Sequence, residues 1–404
     1  MTNTKYKWYI LLILSGLNMC TGAIYVWSIF NIPIMNKTGW SLTNVSLAYS
    51  ILVLLILVGS IISGKLLNKK NVKKLMWLGV ILWSLGWLLS GYSSSRIMFY
   101  FTFSVLTGLG NGFIYNLIIA SIPRWFEEKK GFALGIVTGT GGLAPILFSP
   151  LGHYLIKKVS VFRAFSVLGI GFVILTFTCS FFFKWPDTEK NTENNCENKK
   201  YIKREIEPNV SINVLNSKKF YLLWVIFFST TCSGLIMSGH ASNIGQAVMG
   251  FSEKQGAYLV MVLAIMSFLG RIIMGILSDK IHTLYIVCGI ILAMLLSMVC
   301  LGFYKNITLF LLSFSIICFS FGSTMCIFPK IIAEQFGDID LGKNWSIFFS
   351  GYTLSALTGP IFTSICVEKF HNYNYAFLIS AIILLFGFLS YIILIINYKN
   401  KSIL

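Results

Sequence analysis

Gly59-Ser-Ile-Ile-Ser-Gly64-Lys-Leu-Leu-Asn68-Lys69 recurs 211 residues later in the chain as Gly270-Arg-Ile-Ile-Met-Gly275-Ile-Leu-Ser-Asp279-Lys280, with six of eleven positions identical. Each copy ends an apolar run of about 20 residues or more, the length that crosses the hydrocarbon core of a bilayer. The shared glycines allow close helix contact, and an Asn or Asp followed by Lys can cap a helix and tie it to its neighbour. The duplication predicts a membrane protein built from two parallel repeats.

Apolar runs of this length recur along the chain with short polar breaks between them. They predict an all-α integral membrane protein with twelve transmembrane helices in two six-helix bundles. The first six spans are predicted at 8–33, 44–67, 74–94, 97–120, 131–156 and 162–184, and the second six at 220–242, 254–277, 283–303, 307–332, 343–367 and 373–397.

The segment 185–219 separates the two repeats. It holds seven Lys or Arg, six Asp or Glu and seven Asn residues, a composition that cannot bury a core and is typical of a mostly disordered connector. We therefore predict an N-terminal six-helix bundle at 1–184, a cytoplasmic connector at 185–219 and a C-terminal six-helix bundle at 220–404.

The composition excludes an ordinary soluble protein. Only 11% of the 404 residues are charged and 56% are hydrophobic, whereas soluble domains carry about 25% charged residues. The net charge of +18 would suggest a nucleic-acid partner in a soluble protein. If both termini are cytoplasmic, however, 23 of the 32 basic residues lie on the cytoplasmic side, 8 outside and 1 within the membrane. This bias predicts a multi-pass plasma-membrane protein that contacts lipid and no nucleic acid.

Two other classes of protein are disfavoured by what the chain lacks. The nine cysteines form no C-x-x-C pair, and no span carries the cluster of His, Asp, Glu or Cys residues that a membrane-embedded enzyme would need. A transporter-like sensor would need an appended signalling domain, for which 185–219 and 398–404 are too short. We expect no enzymatic activity, no cofactor and no metal.

Three motifs lie at corresponding places in the predicted spans. The first, on span one, is Gly22-Ala-Ile-Tyr25-Val-Trp27-Ser28-Ile-Phe30. The second, at the junction of spans four and five, is Gly108-Leu-Gly110-Asn-Gly112-Phe-Ile-Tyr115 with Trp125-Phe126-Glu-Glu-Lys-Lys130-Gly131-Phe-Ala133-Leu-Gly135. The third, on span eight, is Gly270-Arg271 with Gly275 and Ser278-Asp279-Lys280. With them the chain resembles the major facilitator superfamily. More narrowly it resembles the oxalate/formate antiporter family and the related monocarboxylate transporters. The resemblance implies bundles that rock about a midplane site, a substrate-binding Arg on span eight and a functional monomer.

Arg271 is the most informative single residue. It precedes Asp279 by eight positions, which places it roughly 12 Å into the membrane. An ionised group at that depth is costly and normally faces a bundle interior with a partner. All fourteen carboxylates fall in predicted loops or near span ends. We therefore predict that Arg271 binds the carboxylate of a substrate, the alternative being a structural Arg bonded to carbonyl groups and Tyr.

The predicted substrate is a small monocarboxylate such as lactate, pyruvate or formate. The oxalate-handling relatives carry a second cation, a Lys on span eleven, and Tyr352 occupies the matching position here; at Ser267 relatives often have Asn or Asp. One fixed positive charge balances one negative charge, and a dianion would leave about one charge unpaired. Both anion antiport and proton symport are open. Oxalate/formate exchange, or a facilitator of another small solute such as an amino acid, is the alternative.

Further candidate site residues come from the same motifs. Tyr25, Trp27 and Tyr115 match positions that line the cavity in the family, although such rings also pack between helices or lie in interfacial belts. His240 on span seven is the candidate for proton coupling, because an ordinary imidazole titrates near about pH 6.5; a helix-contact role is the alternative. The Gly131–Gly135–Gly139 series on span five indicates either a sliding surface or tight helix packing.

Overall fold

The computed structural model describes residues 3–186, 214–303, 306–338, 340–370 and 372–401. The predicted all-helical fold is confirmed over these ranges, and two bundles of six spans each are present. Most of the predicted connector, 187–213, lies outside the described residues.

The N-terminal bundle contains eight helices that form six spans. They are α1 (Asn3–Thr21), α2 (Ser28–Thr38), α3 (Leu42–Leu66), α4 (Val72–Ser90), α5 (Arg96–Phe99), α6 (Thr107–Trp125), α7 (Lys130–Val159) and α8 (Val161–Phe182). A 3-10 turn at Gly22–Val26 joins α1 to α2, and a π-helical segment at Tyr100–Leu106 joins α5 to α6. Irregular backbone within a long helix often marks a hinge or a functional position.

The C-terminal bundle follows a short 3-10 turn at Val214–Asn216. Its helices are α9 (Lys218–Met249), α10 (Glu253–Ser278), α11 (Thr283–Phe303), α12 (Ile307–Phe336), α13 (Leu341–Phe348), α14 (Ser350–Phe370) and α15 (Asn374–Lys401). Helices α13 and α14 form one span that is broken at Phe349.

Eleven helical stretches in the described ranges are long and apolar enough to cross a membrane by themselves. The twelfth span, α13 with α14, falls short because it is interrupted and because polar residues such as Thr353, Ser355 and Thr358 lower its hydropathy. It nevertheless packs against α9 of its own bundle and against α3 of the other bundle. The least apolar span thus lies at the interface between the bundles.

Local capping signals set where several helices begin and end. The Ser41 hydroxyl accepts a hydrogen bond from the Asn44 N–H at the start of α3. Ser252 and Gln255 form a reciprocal capping box at the start of α10. Gly39 and Gly250 end the preceding helices at φ values of 71° and 68°, where a residue with a Cβ would be strained. These caps all lie on one face of the molecule.

The first glycine of the repeated stretch has the same role in both halves. A Cβ on Gly59 would meet the carbonyl of Leu109 in α6, and a Cβ on Gly270 would meet the carbonyl of Phe319 in α12. The missing side chain therefore lets the second span of each bundle lie directly against the fourth.

The second glycine of the stretch joins the two bundles, again in both halves. Gly64 lies against Gly342 of α13, and Gly275 lies against Gly131 of α7. We call the face that carries these two contacts, together with the ends of α3 and α10, the connector face. The bundles are closed against each other there.

The bundles are less closely joined toward the face opposite the connector. Hydrogen bonds that join the two bundles lie on the connector face and at Tyr25 and Tyr352. Tyr25 lies on the 3-10 turn of span one and is 43% exposed. A cavity between the bundles therefore ends at the connector face and opens toward the other side.

Candidate functional site

Arg271 lies in the wall of this cavity, seven residues before the end of α10 at Ser278. Its side chain is 5% exposed. Nη1 donates a hydrogen bond of 2.7 Å to the hydroxyl of Ser267, one helical turn earlier, and Nε has no hydrogen-bond partner among the described residues. Ser267 thus orients the guanidinium, and most of its five N–H donors stay available for a ligand.

Two glycines of α7 make room for the guanidinium. A Cβ on Gly142 would overlap Nη1 of Arg271, and one on Gly141 would lie 2.6 Å from Nδ2 of Asn18. Because α7 belongs to the N-terminal bundle and α10 to the C-terminal bundle, this Arg reaches across the interface. Sequence reasoning did not single out Gly141 or Gly142 as site residues, although their pairing in an apolar span was visible.

The electrostatic surroundings of Arg271 suit an anion. The phenol groups of Tyr25, Tyr115 and Tyr352 are close enough to interact with its charge, and all three line the cavity. No Asp, Glu or Lys is among the described residues that line the cavity. A guanidinium without a fixed counter-ion binds a carboxylate in a planar, bidentate arrangement.

Aromatic side chains form the boundary between the bundles beside Arg271. The hydroxyl groups of Tyr25 and Tyr352 are 3.4 Å apart. The ring of Phe349, at the break between α13 and α14, stacks on Tyr352 with centroids 4.9 Å apart. It also contacts Tyr115, with centroids 5.6 Å apart. The 3-10 turn of span one and the break between α13 and α14 thus each place an aromatic side chain, Tyr25 and Phe349, at the point where the two bundles meet.

Two residues predicted for the site lie elsewhere. Trp27 is buried in the N-terminal bundle, where its ring stacks on Phe103 with centroids 4.7 Å apart, and it does not line the cavity. Its motif position therefore reflects packing among rings rather than contact with the cavity. His240, the candidate for proton coupling, is the second of these residues.

His240 lies toward the far end of α9. It follows Lys218 by 22 residues, or about 33 Å at 1.5 Å per residue. Its Nε2 is 3.4 Å from the carbonyl oxygen of Pro360, and its ring contacts Tyr373 in the turn before α15. His240 does not line the cavity.

The sequence model of the Major Facilitator Superfamily matches residues 11–339. The chain belongs to this superfamily. It is therefore a membrane transporter with transmembrane helices.

Three relatives have sequences similar to this major facilitator along most of their length. YhjX of Escherichia coli strain K12, an uncharacterized MFS-type transporter, is 28% identical over 362 residues, or 88% of each chain. The oxalate:formate antiporter of Oxalobacter formigenes is 26% identical over 384 residues, covering 93% of this chain and 88% of that protein. The human monocarboxylate transporter 12 is 26% identical over 357 residues, covering 81% and 68%.

A solved structure shares the fold at low sequence identity. A bacterial homologue of the iron transporter ferroportin, in an outward-facing state, superimposes with a TM-score of 0.73 at 12% identity, covering 95% of this chain and 99% of that one. This similarity confirms the major facilitator fold.

The connector face of this major facilitator is held by a charged latch, which we define as Asp279, Lys330 and the start of α7. The Asp279 carboxylate accepts hydrogen bonds from the N–H groups of Gly131 and Phe132, at 2.8 and 2.9 Å. It also pairs with the buried ammonium of Lys330 at 2.6 Å. A carboxylate at a helix N-terminus is favoured by the helix dipole and by the unpaired N–H groups.

Sequence reasoning missed Lys330 because it lies only two residues inside the predicted tenth span and was counted with the cytoplasmic loops. A Lys near the end of one span and an Asp at the end of a neighbouring span could have indicated this ion pair from the sequence. A second ion pair, between Lys130 and Asp338 at 2.5 Å, also joins the two bundles on this face.

We expect Asp279→Ala to loosen the connector face. Cys326 is fully buried beside the latch, with its thiol 3.4 Å from the carbonyl oxygen of Gly131. Loss of charge-assisted hydrogen bonds, each worth about 1.5–3 kcal/mol, should increase maleimide labelling of Cys326 by roughly tenfold or more. Site-resolved mass spectrometry of the labelled protein measures this.

The matched control is Glu334→Ala. Glu334 lies on the same face and interacts with Lys330 and Thr283, all of which belong to the C-terminal bundle. Labelling of Cys326 should stay at the wild-type level in this variant. Equal labelling in the Asp279→Ala and Glu334→Ala variants would show that the latch does not hold the bundles together.

Proposed function

We propose that this protein is a secondary transporter of small monocarboxylate anions, such as lactate, pyruvate or formate, and that it works by alternating access. The observation that carries the proposal is Arg271, a buried cation in a cavity between two bundles with no carboxylate beside it in the described lining. Uncompensated charge is costly in such a place. A substrate carboxylate supplies the missing partner, and the names of two relatives point to the same class of solute.

The charge of the cavity favours a monoanion. Arg271 is the only Lys or Arg among the described residues that line it, so a monoanion leaves the loaded site neutral. A dianion would carry one unpaired charge through the low-dielectric interior. Tyr352, with its hydroxyl against Tyr25, supplies no second cation.

The same charge logic favours exchange over proton coupling. With no Asp, Glu or His among the described cavity residues, a bound anion is the simplest way to neutralise Arg271 in every step of the cycle. Proton symport through His240 stays a prediction, and it would require the proton to act from outside this cavity.

We further propose that the transporter lies in the plasma membrane as a functional monomer, with both termini and the connector in the cytoplasm. The charge bias of 23 cytoplasmic to 8 external basic residues supports this orientation. The N-terminal bundle would then comprise 1–184, the connector 185–219 and the C-terminal bundle 220–404. In this orientation the cavity opens to the outside.

The experiment that tests the proposal is counterflow in proteoliposomes that contain the purified transporter. Vesicles loaded with an unlabelled solute are diluted into labelled lactate, and the loaded solute is varied across formate, pyruvate, acetate, oxalate and alanine. We expect the monocarboxylates to accelerate uptake and oxalate and alanine to have little effect. Acceleration by alanine or another uncharged or zwitterionic solute, without acceleration by any carboxylate, would refute the proposal.

A pH gradient imposed on the same vesicles separates the two coupling modes. Exchange of two monoanions should be unchanged when the internal and external pH differ, because no proton is carried. Accumulation of lactate in empty vesicles, driven by an acidic exterior, would instead support proton symport.

We expect Tyr352→Lys to extend the substrate range to oxalate. The new ammonium would lie in the cavity opposite Arg271 and supply the second positive charge that a dianion needs. Oxalate should then inhibit lactate uptake at roughly tenfold lower concentration than in the unaltered protein. Tyr352→Phe is the control, since it removes the hydroxyl without adding charge. Unchanged oxalate inhibition in Tyr352→Lys would contradict the charge argument.

A further inference from the structure

Two asparagines in the cavity wall have their amide groups fixed in one orientation. Nδ2 of Asn18 donates to the carbonyl of Val137 at 2.7 Å, and Nδ2 of Asn111 donates to the carbonyl of Thr21 at 3.2 Å. A backbone carbonyl can only accept, so each amide nitrogen must face it. The two Oδ1 atoms therefore point away from these bonds.

Both Oδ1 atoms lack a good donor. Among the described residues, none donates to Oδ1 of Asn111, and Oδ1 of Asn18 receives only a long contact of 3.4 Å from the Thr21 hydroxyl, which also bonds the Asn18 carbonyl at 3.1 Å. The two residues are 4% and 5% exposed and line the cavity. The unpaired Oδ1 of Asn111 is not among the fully buried side-chain atoms, so it can accept a hydrogen bond from a molecule in the cavity. The N-terminal bundle thus presents unfilled acceptors to whatever the cavity holds.

These acceptors lie next to the cation. Asn18 contacts Gly141 and Arg271 contacts Gly142, two consecutive residues of α7. Asn111 lies one turn from Tyr115 on the same face of α6, and both line the cavity. Arg271 and both asparagines thus line the same cavity, where one small solute can contact the cation and an amide oxygen together.

We propose that the site selects 2-hydroxy monocarboxylates over unsubstituted and 2-oxo monocarboxylates. This inference rests on the proposed function and narrows its substrate class. The 2-hydroxyl group can donate to the amide oxygen of Asn111 or Asn18 while the carboxylate stays on Arg271. A methyl or methylene group leaves those oxygens unpaired, and a 2-oxo group sets its own lone pairs against them.

Matched pairs of acids test the inference on the unaltered transporter. Lactate and propionate differ only in the hydroxyl, as do glycolate and acetate. We expect lactate and glycolate to inhibit labelled lactate counterflow at about tenfold lower concentration than their partners, the factor that one hydrogen bond of about 1.4 kcal/mol supplies. Pyruvate should inhibit no better than propionate. Equal inhibition within both pairs would overturn the inference.

Asn111→Leu and Asn18→Leu then locate the acceptor. In the variant that removes it, inhibition by lactate should weaken to the level of propionate, while inhibition by propionate itself stays unchanged and reports a folded site. Thr140→Val is the control, because the Thr140 hydroxyl bonds the carbonyls of Ser15 and Val137 and does not line the cavity. A hydroxyl preference that survives both Asn substitutions would refute the assignment.

The outcomes separate this inference from the function on which it rests. Uptake of carboxylates with no difference within the pairs refutes the hydroxyl preference alone. Absence of uptake for every carboxylate refutes the transport proposal itself. If neither Asn variant folds, the comparison of the pairs on the unaltered protein still decides the inference.

Discussion

Arg271→Gln is expected to slow monocarboxylate exchange at least about thirtyfold, because the substrate loses the charged partner of its carboxylate, a loss of about 2–5 kcal/mol. Arg271→Lys keeps the charge but not the planar fork, and we expect it to retain roughly a tenth of the wild-type rate. The rates are measured by counterflow of labelled lactate in proteoliposomes. Arg163→Gln is the matched control, since it removes an equal charge from an exposed Arg.

Thermal unfolding of the same proteins tests whether Arg271 serves binding or structure. The buried guanidinium has no carboxylate beside it among the described residues that line the cavity, so replacing it with a neutral group should leave the unfolding temperature unchanged or raise it. Lactate should raise the unfolding temperature of the unaltered protein but not that of Arg271→Gln. A large drop in stability, or wild-type exchange by Arg271→Gln, would show that Arg271 is a structural residue.

Gly135→Ala is expected to have the second largest effect. A Cβ at this position of α7 would lie 2.5 Å from the carbonyl oxygen of Arg271 in α10, closer than atoms can approach, so the bundles cannot close on the connector face as they do here. Exchange should fall by roughly tenfold or more, since one conformation of the cycle loses population. Labelling of Cys326 should rise because its burial depends on that closure.

Gly171→Ala is the control for this substitution. Gly171 lies in α8, and a Cβ there meets no atom within 4 Å. Exchange and Cys326 labelling should both match the unaltered protein. A Gly135→Ala variant that behaves in the same way would mean that the bundles close without close contact between α7 and α10.

The sequence predicted the fold well because the signal was long and repeated. Apolar runs of membrane length, doubled by the stretch at Gly59 and Gly270, specified twelve spans in two halves. Arg271 was equally easy to identify from the sequence, because a cation within an apolar membrane helix usually has a function. The Gly131, Gly135 and Gly139 series, for which packing and sliding were both open, forms close contacts with α10 across the interface between the bundles.

Much of the cavity wall could not be predicted. Asn18, Asn111 and Gly142 lie on three different helices, and polar or small residues are common in membrane helices. Only the tertiary packing shows which of them face the same space. Trp27 and His240 do not line the cavity, because neither a motif match nor a place in an apolar run specifies the direction of a side chain.

Asn68 and Asp279 occupy the same position in the two copies of the repeated stretch, but their side chains bond to different parts of the molecule. Asn68 uses its side-chain oxygen within its own loop, accepting from the N–H groups of Lys70 and Asn71, whereas Asp279 reaches across to α7. The Asp279 carboxylate therefore contributes to the contact between the bundles, whereas these hydrogen bonds of Asn68 stay within its own loop. Because the side chains of Asp279 and Lys330 are only 13% and 6% exposed, added salt screens this pair weakly, so the Asp279 contact should persist at high ionic strength.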